Sequence, residues 1–194
     1  MKRNYKYTIA VDIDGVLADF EGEFLDRFGY ANRHMNSLSA RYPETDVELI
    51  KEFVNSPSTY ERALPIFGGL VALLGGAKAN GFYVLLITSR PKHLAEVTKE
   101  WLEGYEAQYD EIWFSQAKSV AIQEYNEMYP HRKIILLVDD IIENVLELPE
   151  GTTGVVWEQP WNDGYYPRAR YSEELMRVEI KPTETSDWKS FWES

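Results

Sequence analysis

The chain has 194 residues, a length that suits one domain of ordinary size with room for a small insertion. Its formal net charge of −12 argues against a long polynucleotide as a partner, because proteins that grip a nucleic-acid backbone carry a basic surface. It contains no cysteine, which excludes disulfides and thiol chemistry. A small phosphate ester and divalent cations stay compatible with this composition, since they need only a local arrangement of charges.

The distribution of apolar residues in the sequence does not indicate a membrane protein. The first residues carry charge without a long apolar stretch behind them, so we expect no signal peptide. No run of about 18 apolar residues occurs in the sequence, so we expect no membrane span. Together with the absence of cysteine, these features lead us to predict a cytoplasmic location.

The first 65 residues predict one strand followed by a helical segment. Residues 7–12 form a short apolar, β-branched run that ends in an acid, which is typical of a buried strand. Residues 18–29 place apolar side chains at helical spacing and end at a glycine. Residues 43–55 predict a second helix, which Ser56-Pro57 breaks.

From residue 66 onward, predicted strands alternate with predicted helices. The predicted helices are 68–80, 92–103, 117–128 and 141–147, and the predicted strands are 82–88, 111–115, 133–139 and 153–157. Strands that are apolar throughout and alternate with helices indicate a parallel sheet covered on both faces. The sequence therefore predicts an α/β, doubly wound, Rossmann-like core formed by residues 1–16 and 66–194. Residues 17–65 are predicted to be a small helical cap inserted after the first strand, and residues 186–193 a terminal helix.

Polar side chains stand where three of the predicted strands end. The first strand leads into Asp12-Ile13-Asp14-Gly15, the second into Thr88-Ser89-Arg90, and a later one into Asp139-Asp140. Lys118 begins a helix just after a short strand. Because the carboxyl ends of parallel strands meet at one edge, where open α/β sheets bind ligands, we expect these groups to lie close together.

The chemistry of these groups fits phosphoryl transfer. Converging carboxylates repel one another unless a cation neutralises them, and oxygen ligands favour a hard ion such as Mg²⁺. A carboxylate can attack phosphorus, so we assign Asp12 as the nucleophile and Asp14 as the general acid and then base. The Thr88 hydroxyl and the Ser89 amide are predicted to hold the phosphoryl oxygens, and Lys118 to stabilise their charge.

Residues 12–20 resemble the first motif of the haloacid dehalogenase-like (HAD) phosphatases and, more narrowly, that of the 5′(3′)-deoxyribonucleotidase family. Thr88-Ser89-Arg90 is similar to the second motif, Lys118 to the third and Val138-Asp139-Asp140 to the fourth. Two further segments, at 65–69 and 156–162, are also similar to that family. The resemblance spans about residues 7–162, most of the chain.

The resemblance implies a magnesium-dependent phosphomonoesterase that forms an aspartyl-phosphate and hydrolyses (deoxy)nucleoside monophosphates. It implies that Asp12, Asp139 and the backbone carbonyl of Asp14 bind the metal, with Asp140 in support. It also implies that the insertion at 17–65 is the cap over the substrate.

Two residues bear on the choice of substrate. Phe20 occupies an aromatic position of the family and is a candidate to stack on the base, and Arg90 stands where animal members have proline. We expect a small-molecule nucleotide as the partner, and neither a long nucleic acid nor a membrane. We expect the aromatic tail beyond residue 158 to pack on the core, and a homodimer contact through it stays open.

Each motif alone has a structural alternative. Asp12-Ile13-Asp14-Gly15 also fits a simple turn, and Thr88-Ser89 fits a helix N-cap. Lys118 alone would more often be a solvated surface residue, and Asp140 fits a cap of the next helix. Phe20 at helical spacing is more often a core residue.

Three functional alternatives stay open beside the nucleotidase. A 3′-phosphatase acting on nucleic-acid ends would share the chemistry but would need a basic groove. A phosphatase of other small metabolites would keep the whole site. A catalytically silent binding protein on the same fold would not need the complete set of acids and Lys118.

Overall fold

The computed structural model describes residues 5–29, 47–66, 68–159 and 162. Its strands are β1 (Thr8–Val11), β2 (Ala18–Asp19), β3 (Leu64–Pro65), β4 (Tyr83–Thr88), β5 (Glu111–Phe114), β6 (Ile134–Asp139) and β7 (Thr153–Val156). Five of them form a parallel sheet in the order β5-β4-β1-β6-β7, and β2 and β3 form a separate antiparallel pair.

The helices fall between these strands in chain order. They are α1 (Phe20–Phe28), α2 (Val47–Asn55), α3 (Pro57–Arg62), α4 (Gly76–Ala79), α5 (Ala95–Gly104), α6 (Lys118–Met128) and α7 (Ile142–Leu146). A π-helical segment, Gly68–Gly75, leads directly into α4, and a 3₁₀ turn, Lys92–Leu94, leads into α5. Among the described residues, no helix is both long and apolar enough to cross a membrane.

The central strands are buried on both faces. Ile9 and Val11 of β1 pack into one core cluster, and Ala10 between them packs into another. The first cluster includes Trp101 from α5, and the second includes Tyr125 from α6. Because successive side chains of a strand point to opposite faces, a strand covered on both sides is apolar at every position. The predicted doubly wound α/β fold is confirmed.

Local chemistry explains most differences from the predicted elements. Pro57 ends the preceding helix, as predicted, but it also begins α3, since proline is well tolerated in the first turn of a helix. The predicted helix 68–80 forms, but its first eight residues have π-helical hydrogen bonding. The predicted helical residues 43–46 and 186–193 lie outside the described residues.

The described part of the insertion has an apolar cluster of its own. Phe24, Leu25 and Phe53 are buried in it, and the pairing of β2 with β3 closes the base of the segment. Asp19 caps α1 by accepting a hydrogen bond from the Gly22 amide at 2.9 Å. The division of the chain into core and cap stays a prediction.

One close approach ties the π-helical segment to the loop that follows β1. A side chain at Gly69 would overlap the backbone carbonyl oxygen of Val16, whereas nothing lies within 4 Å of the position that a side chain at Gly75 would occupy. Gly69 therefore allows the segment to pack against the loop next to Asp12 and Asp14.

This difference between two glycines of one segment gives a matched test. We expect Gly69→Ala to lower the free energy of unfolding by about 1–3 kcal/mol, because the loop must move aside. Gly75→Ala should be neutral or stabilising by about 0.5–1 kcal/mol, since it lowers only the entropy of the unfolded chain. Urea unfolding of the two variants checks both signs, and equal effects would contradict the packing argument.

Candidate active site

The strand order places the ends of β1 and β6 side by side. From β1 the chain adds β4 and β5 on one side, then returns to add β6 and β7 on the other, so the order reverses between β1 and β6. Val11 is in register with Val138, and the Asp12 amide donates to the Val138 carbonyl at 2.9 Å. Such reversal points are where open α/β sheets bind ligands at their carboxyl edge.

Three carboxylates meet at this point. One oxygen from each of Asp12, Asp139 and Asp140 lies within 4.8 Å of the others, and all three residues are buried. Gly15 has a φ of +82°, and a side chain there would overlap the Asp140 carboxylate. The turn after β1 therefore needs glycine both for its backbone conformation and for its distance from the acids.

A buried lysine lies between two of these acids. The Lys118 ammonium is 2.7 Å from Asp12 Oδ2 and 2.6 Å from Asp139 Oδ2, and its side chain is 1% exposed. Burial by itself would lower the pKa of Lys118, but the carboxylates of Asp12 and Asp139 outweigh it and raise that pKa above its usual range. Lys118 is thus a paired, buried cation and not a solvated surface residue.

The surroundings of Asp12 shift the pKa of its carboxyl group. Its burial, with smaller contributions from the neighbouring charges of Asp139 and Asp14, raises its pKa from the ordinary 3.8 to about 7, although Lys118 acts in the opposite direction. Its other oxygen accepts a hydrogen bond from the Ile13 amide at 2.7 Å. The cluster places three carboxylates around this single lysine, so it has more acidic groups than Lys118 alone neutralises.

Two groups at the start of α7 bind the Asp139 carboxylate. Its Oδ1 accepts a hydrogen bond from the Ile141 amide at 2.8 Å, and the Asn144 amide group lies 3.2 Å from both oxygens. Sequence reasoning did not find Asn144, because a single asparagine five residues after an acid is no recognisable signal. Its contact depends on α7 starting at once after β6.

Asp14 lies beside this cluster and pairs with Arg90. Arg90 Nη2 donates to Asp14 Oδ1 at 2.7 Å, and Arg90 Nε lies 3.0 Å from Oδ2. The Arg90 side chain is fully buried, whereas that of Asp14 is 24% exposed. The substrate role predicted for Arg90 stays a prediction, and in this structure its guanidinium faces Asp14.

The two predicted phosphate-binding residues after β4 differ in exposure. Thr88 is buried, and its hydroxyl accepts a hydrogen bond from the Arg90 amide at 3.2 Å. Ser89 is exposed, and its carbonyl accepts a hydrogen bond from the Gln116 side chain. Because β4 lies next to β1, both are at the same sheet edge as Asp12, and their contact with phosphate stays a prediction.

Phe20 lies in the aromatic core of the insertion. Its ring stacks on Tyr60 with a centroid distance of 5.5 Å and contacts Phe53 at 5.1 Å. It is half-buried, so part of the ring stays accessible. The structure thus gives Phe20 a packing role, and its stacking on a base stays a prediction.

Two further residues bind the backbone of the loops that carry Asp14 and Asp140. The Gln159 side chain donates to the Gly15 carbonyl, and Asn162 Nδ2 donates to the Asp140 carbonyl at 3.0 Å. Asn162 Oδ1 also accepts the Gln159 amide at 3.0 Å. The sequence signal was present in the segment 156–162, but it did not indicate which atoms these side chains would bind.

The donor set fits a hard divalent cation. Three clustered, buried carboxylates supply only oxygen ligands, and Lys118 occupies only one oxygen of Asp12 and one of Asp139. Buried acids in such excess are costly without a cation. The cluster is therefore consistent with a divalent metal.

Comparisons with known structures agree on the fold. A class C acid phosphatase from Bacillus anthracis is 12% identical, with a TM-score of 0.54 over 94% of this chain and 83% of that one. A haloacid dehalogenase-like hydrolase from Streptococcus pneumoniae is 13% identical, with a TM-score of 0.53 over 80% and 85%. A chain of the Pnkp1/Rnl/Hen1 complex is 15% identical, with a TM-score of 0.51 over 79% of this chain.

This protein covers 46%, about half, of the length of the matching chain in the Pnkp1/Rnl/Hen1 complex. No family model and no curated protein matches the sequence. At these identities the likeness establishes the fold, which is that of the haloacid dehalogenase-like hydrolases.

The raised pKa of Asp12 predicts how stability depends on pH when metal is removed. Between pH 3.8 and about 7 the folded protein binds a proton at Asp12 that the unfolded chain releases, so the wild type loses stability as pH rises through this window. Asp12→Asn cannot titrate. In EDTA we expect the melting temperature of the variant to exceed that of the wild type by a margin that grows as pH rises from 4 to 8.

Thermal unfolding at several pH values measures this difference. Asp26→Asn, which changes an exposed carboxylate in α1, is the matched control and should show no such trend. A constant difference between Asp12→Asn and the wild type across the pH range would contradict the cost assigned to the buried charge.

Proposed function

We propose that this chain is a HAD-type, magnesium-dependent phosphomonoesterase that acts through an aspartyl-phosphate at Asp12. The observation that carries the proposal is the buried Lys118 between Asp12 and Asp139, with Asp14 beside them at the reversal point of the sheet. The acid phosphatase and hydrolase neighbours with the same fold support it.

In the first step, an Asp12 carboxylate oxygen attacks phosphorus, and the bond from phosphorus to the leaving oxygen breaks. Protonated Asp14 gives its proton to the leaving oxygen, so an alcohol departs and Asp14 becomes a carboxylate. Lys118 faces Asp12 Oδ2 and supplies positive charge where the phosphoryl group arrives. The Thr88 hydroxyl and the Ser89 amide are proposed to bind the remaining phosphoryl oxygens.

In the second step, water attacks the aspartyl-phosphate while Asp14 takes up its proton. The bond between phosphorus and the Asp12 oxygen breaks, which returns the Asp12 carboxylate and releases inorganic phosphate. The sum of both steps is hydrolysis of one phosphomonoester to an alcohol and phosphate, with Asp12 and Asp14 regenerated.

The acids of the cluster would hold the magnesium ion. We assign Asp12, Asp139 and the backbone carbonyl of Asp14 as ligands, supported by Asp140. The bound ion supplies charge neutralisation to the carboxylates and to the phosphate that approaches them. Asn144 and the Ile141 amide fix the orientation of Asp139 for this role.

A (deoxy)nucleoside monophosphate is the proposed substrate class. The family resemblance of the motifs supports it, and the helical insertion has an aromatic cluster that includes Phe20 at its half-buried edge. The insertion is proposed to close over the substrate, to exclude water from the first step and to admit it for the second. The cytoplasm is the proposed compartment.

A 3′-phosphatase acting on nucleic-acid ends is the second candidate. The neighbour from the Pnkp1/Rnl/Hen1 RNA repair complex, at 15–16% identity, favours testing it. The net charge of −12 argues against it, because a polynucleotide needs a basic groove.

Phosphate release from a substrate panel tests the proposal. The panel contains 5′- and 3′-deoxynucleoside monophosphates, sugar phosphates and a 3′-phosphorylated oligonucleotide, each with magnesium and with EDTA. We expect magnesium-dependent release from mononucleotides, and a loss of about 10³-fold or more in Asp12→Asn because the nucleophile is gone.

The other results of the panel have distinct meanings. Release from the oligonucleotide alone would move the substrate to nucleic-acid ends, and release from sugar phosphates alone to other small metabolites. An Asp12→Asn variant as active as the wild type would refute the nucleophile. A folded, magnesium-binding wild type that releases no phosphate would indicate the silent binding protein.

Metal binding can be measured apart from activity. Isothermal titration of the wild type with Mg²⁺ should show one site, and Asp139→Asn should weaken it by about 10-fold or more, since a charged ligand is lost. Asp110→Asn is the control, because Asp110 pairs with Lys78 away from the cluster. Equal affinity in Asp139→Asn and the wild type would contradict the assigned ligands.

A further inference from the structure

Arg90 is a buried charge that the proposed reaction does not use. Its side chain is fully buried, and a buried cation is retained only where partners compensate for the lost water. Among the described residues, its guanidinium contacts four side chains. They are Asp14, Thr98, Tyr60 and Trp101.

The contact with Asp14 fixes the direction of its carboxyl group. Nη2 donates to Oδ1 at 2.7 Å, and Nε lies 3.0 Å from Oδ2 and 3.2 Å from Oδ1 of Asp14. A guanidinium is a rigid, planar fork, so a bidentate contact aligns the plane of the carboxylate. Asp14 is 24% exposed, so the pair leaves part of this carboxylate accessible.

The guanidinium is itself held by two aromatic rings. Its carbon lies 4.5 Å from the centroid of the Tyr60 ring and 5.7 Å from that of the Trp101 ring, and Nη1 lies 3.4 Å from the Thr98 hydroxyl. A cation near the face of an aromatic ring is stabilised by the ring's electron density. Arg90 therefore cannot rotate away from Asp14 without losing several contacts.

These rings belong to different parts of the fold. Tyr60 lies on α3 in the insertion, where its hydroxyl donates to the Val54 carbonyl at 2.7 Å. Trp101 lies on α5 of the core, and its indole donates to the Ala63 carbonyl at 2.8 Å, just after α3. The position of Arg90 thus depends on how α3 is seated against the core.

We propose that Arg90 is a positioning residue that aims the Asp14 carboxyl group at the leaving oxygen, and that Tyr60 makes this aim depend on the helical insertion. This inference rests on the proposed phosphomonoesterase function. Asp14 passes its proton to the leaving oxygen as the phosphorus–oxygen bond breaks, so a misaimed Asp14 slows that transfer and leaves the attack by Asp12 intact.

The leaving group distinguishes this role from others. Benzyl phosphate and p-nitrophenyl phosphate have similar size, but benzyl alcohol leaves only with a proton whereas p-nitrophenolate leaves without one. Arg90→Lys keeps the charge and removes the fork. Its kcat/KM, which reports the steps up to release of the alcohol and leaves out the hydrolysis of the aspartyl-phosphate common to both esters, should fall by about 10²-fold on benzyl phosphate and by less than about 5-fold on p-nitrophenyl phosphate, since general acid catalysis contributes about 10²–10⁴-fold.

Tyr60→Leu tests the dependence on the insertion without changing a charge. Its kcat/KM should fall by about 10-fold on benzyl phosphate and change by less than about 2-fold on p-nitrophenyl phosphate. The loss in the double variant should be smaller than the product of the two single losses, because both act through one contact.

The chain contains a matched control for both variants. Arg132 lies over Tyr129 with the same separation, 4.5 Å from the guanidinium carbon to the ring centroid, just before β6 at the opposite edge of the sheet. Arg132→Lys and Tyr129→Leu should therefore leave the ratio of the two kcat/KM values as in the wild type.

The outcomes separate this inference from the proposed function. Equal losses of kcat/KM on both esters in Arg90→Lys would overturn the positioning role in favour of a structural or substrate-binding one. A wild-type ratio in Tyr60→Leu would overturn the link to the insertion. Where Arg90→Lys does not fold, Tyr60→Leu alone decides.

The proposed function fails under other results. A wild type that releases phosphate from neither ester and from no compound of the substrate panel would overturn the phosphomonoesterase and this inference together. An active wild type with an equally active Asp12→Asn would refute the nucleophile, whereas the split between the esters in Arg90→Lys would still support the role of Arg90.

Discussion

The site is organised by one buried ammonium group. Lys118 forms ion pairs of 2.7 and 2.6 Å with Asp12 and Asp139, which lie at the ends of two adjacent strands. A lysine is stable at 1% exposure only because both acids compensate for its lost hydration, and their positions are fixed by the sheet. The helix that begins with Lys118 is thereby tied to the carboxyl ends of β1 and β6.

This arrangement is not optimal for stability. Three buried carboxylates and one lysine leave an excess of negative charge, and burial, with smaller contributions from the charges of Asp139 and Asp14, raises the pKa of Asp12. Acids with shifted pKa values concentrate at functional sites. The buried negative charge that destabilises the protein without a ligand is the charge that a cation or a substrate needs. The loops nearby are accordingly braced, with Gly15 against Asp140 and with Gln159 bound to the Gly15 carbonyl.

A second charged pair lies next to the first and has a different character. Arg90 and Asp14 form a fork-shaped contact in which the arginine is fully buried and the acid is partly exposed. Tyr60 of α3 lies over the guanidinium, with 4.5 Å between the guanidinium carbon and the ring centroid. The two pairs together divide the acids of the first loop, since Asp12 faces Lys118 and Asp14 faces Arg90.

The sequence by itself determined the fold class and which polar side chains meet at one edge of the sheet. Apolar runs with polar ends predict buried parallel strands, and their side chains must then meet at one edge, which is why Asp12, Asp139 and Lys118 could be grouped in advance. Periodicity located most helices to within a few residues, since the apolar face of a helix is a local property. It missed α3, because one proline both ended a helix and began the next.

Only the tertiary structure decided the pairing of those residues. Which acid binds Lys118 and which binds Arg90 depends on strand order and on distances of a few ångströms between segments far apart in the chain. The same reason hid Asn144, whose contact with Asp139 requires α7 to start directly after β6. The contact between Arg90 and Tyr60 was hidden for the same reason. No local pattern indicates that the ring of Tyr60 will lie 4.5 Å from the Arg90 guanidinium.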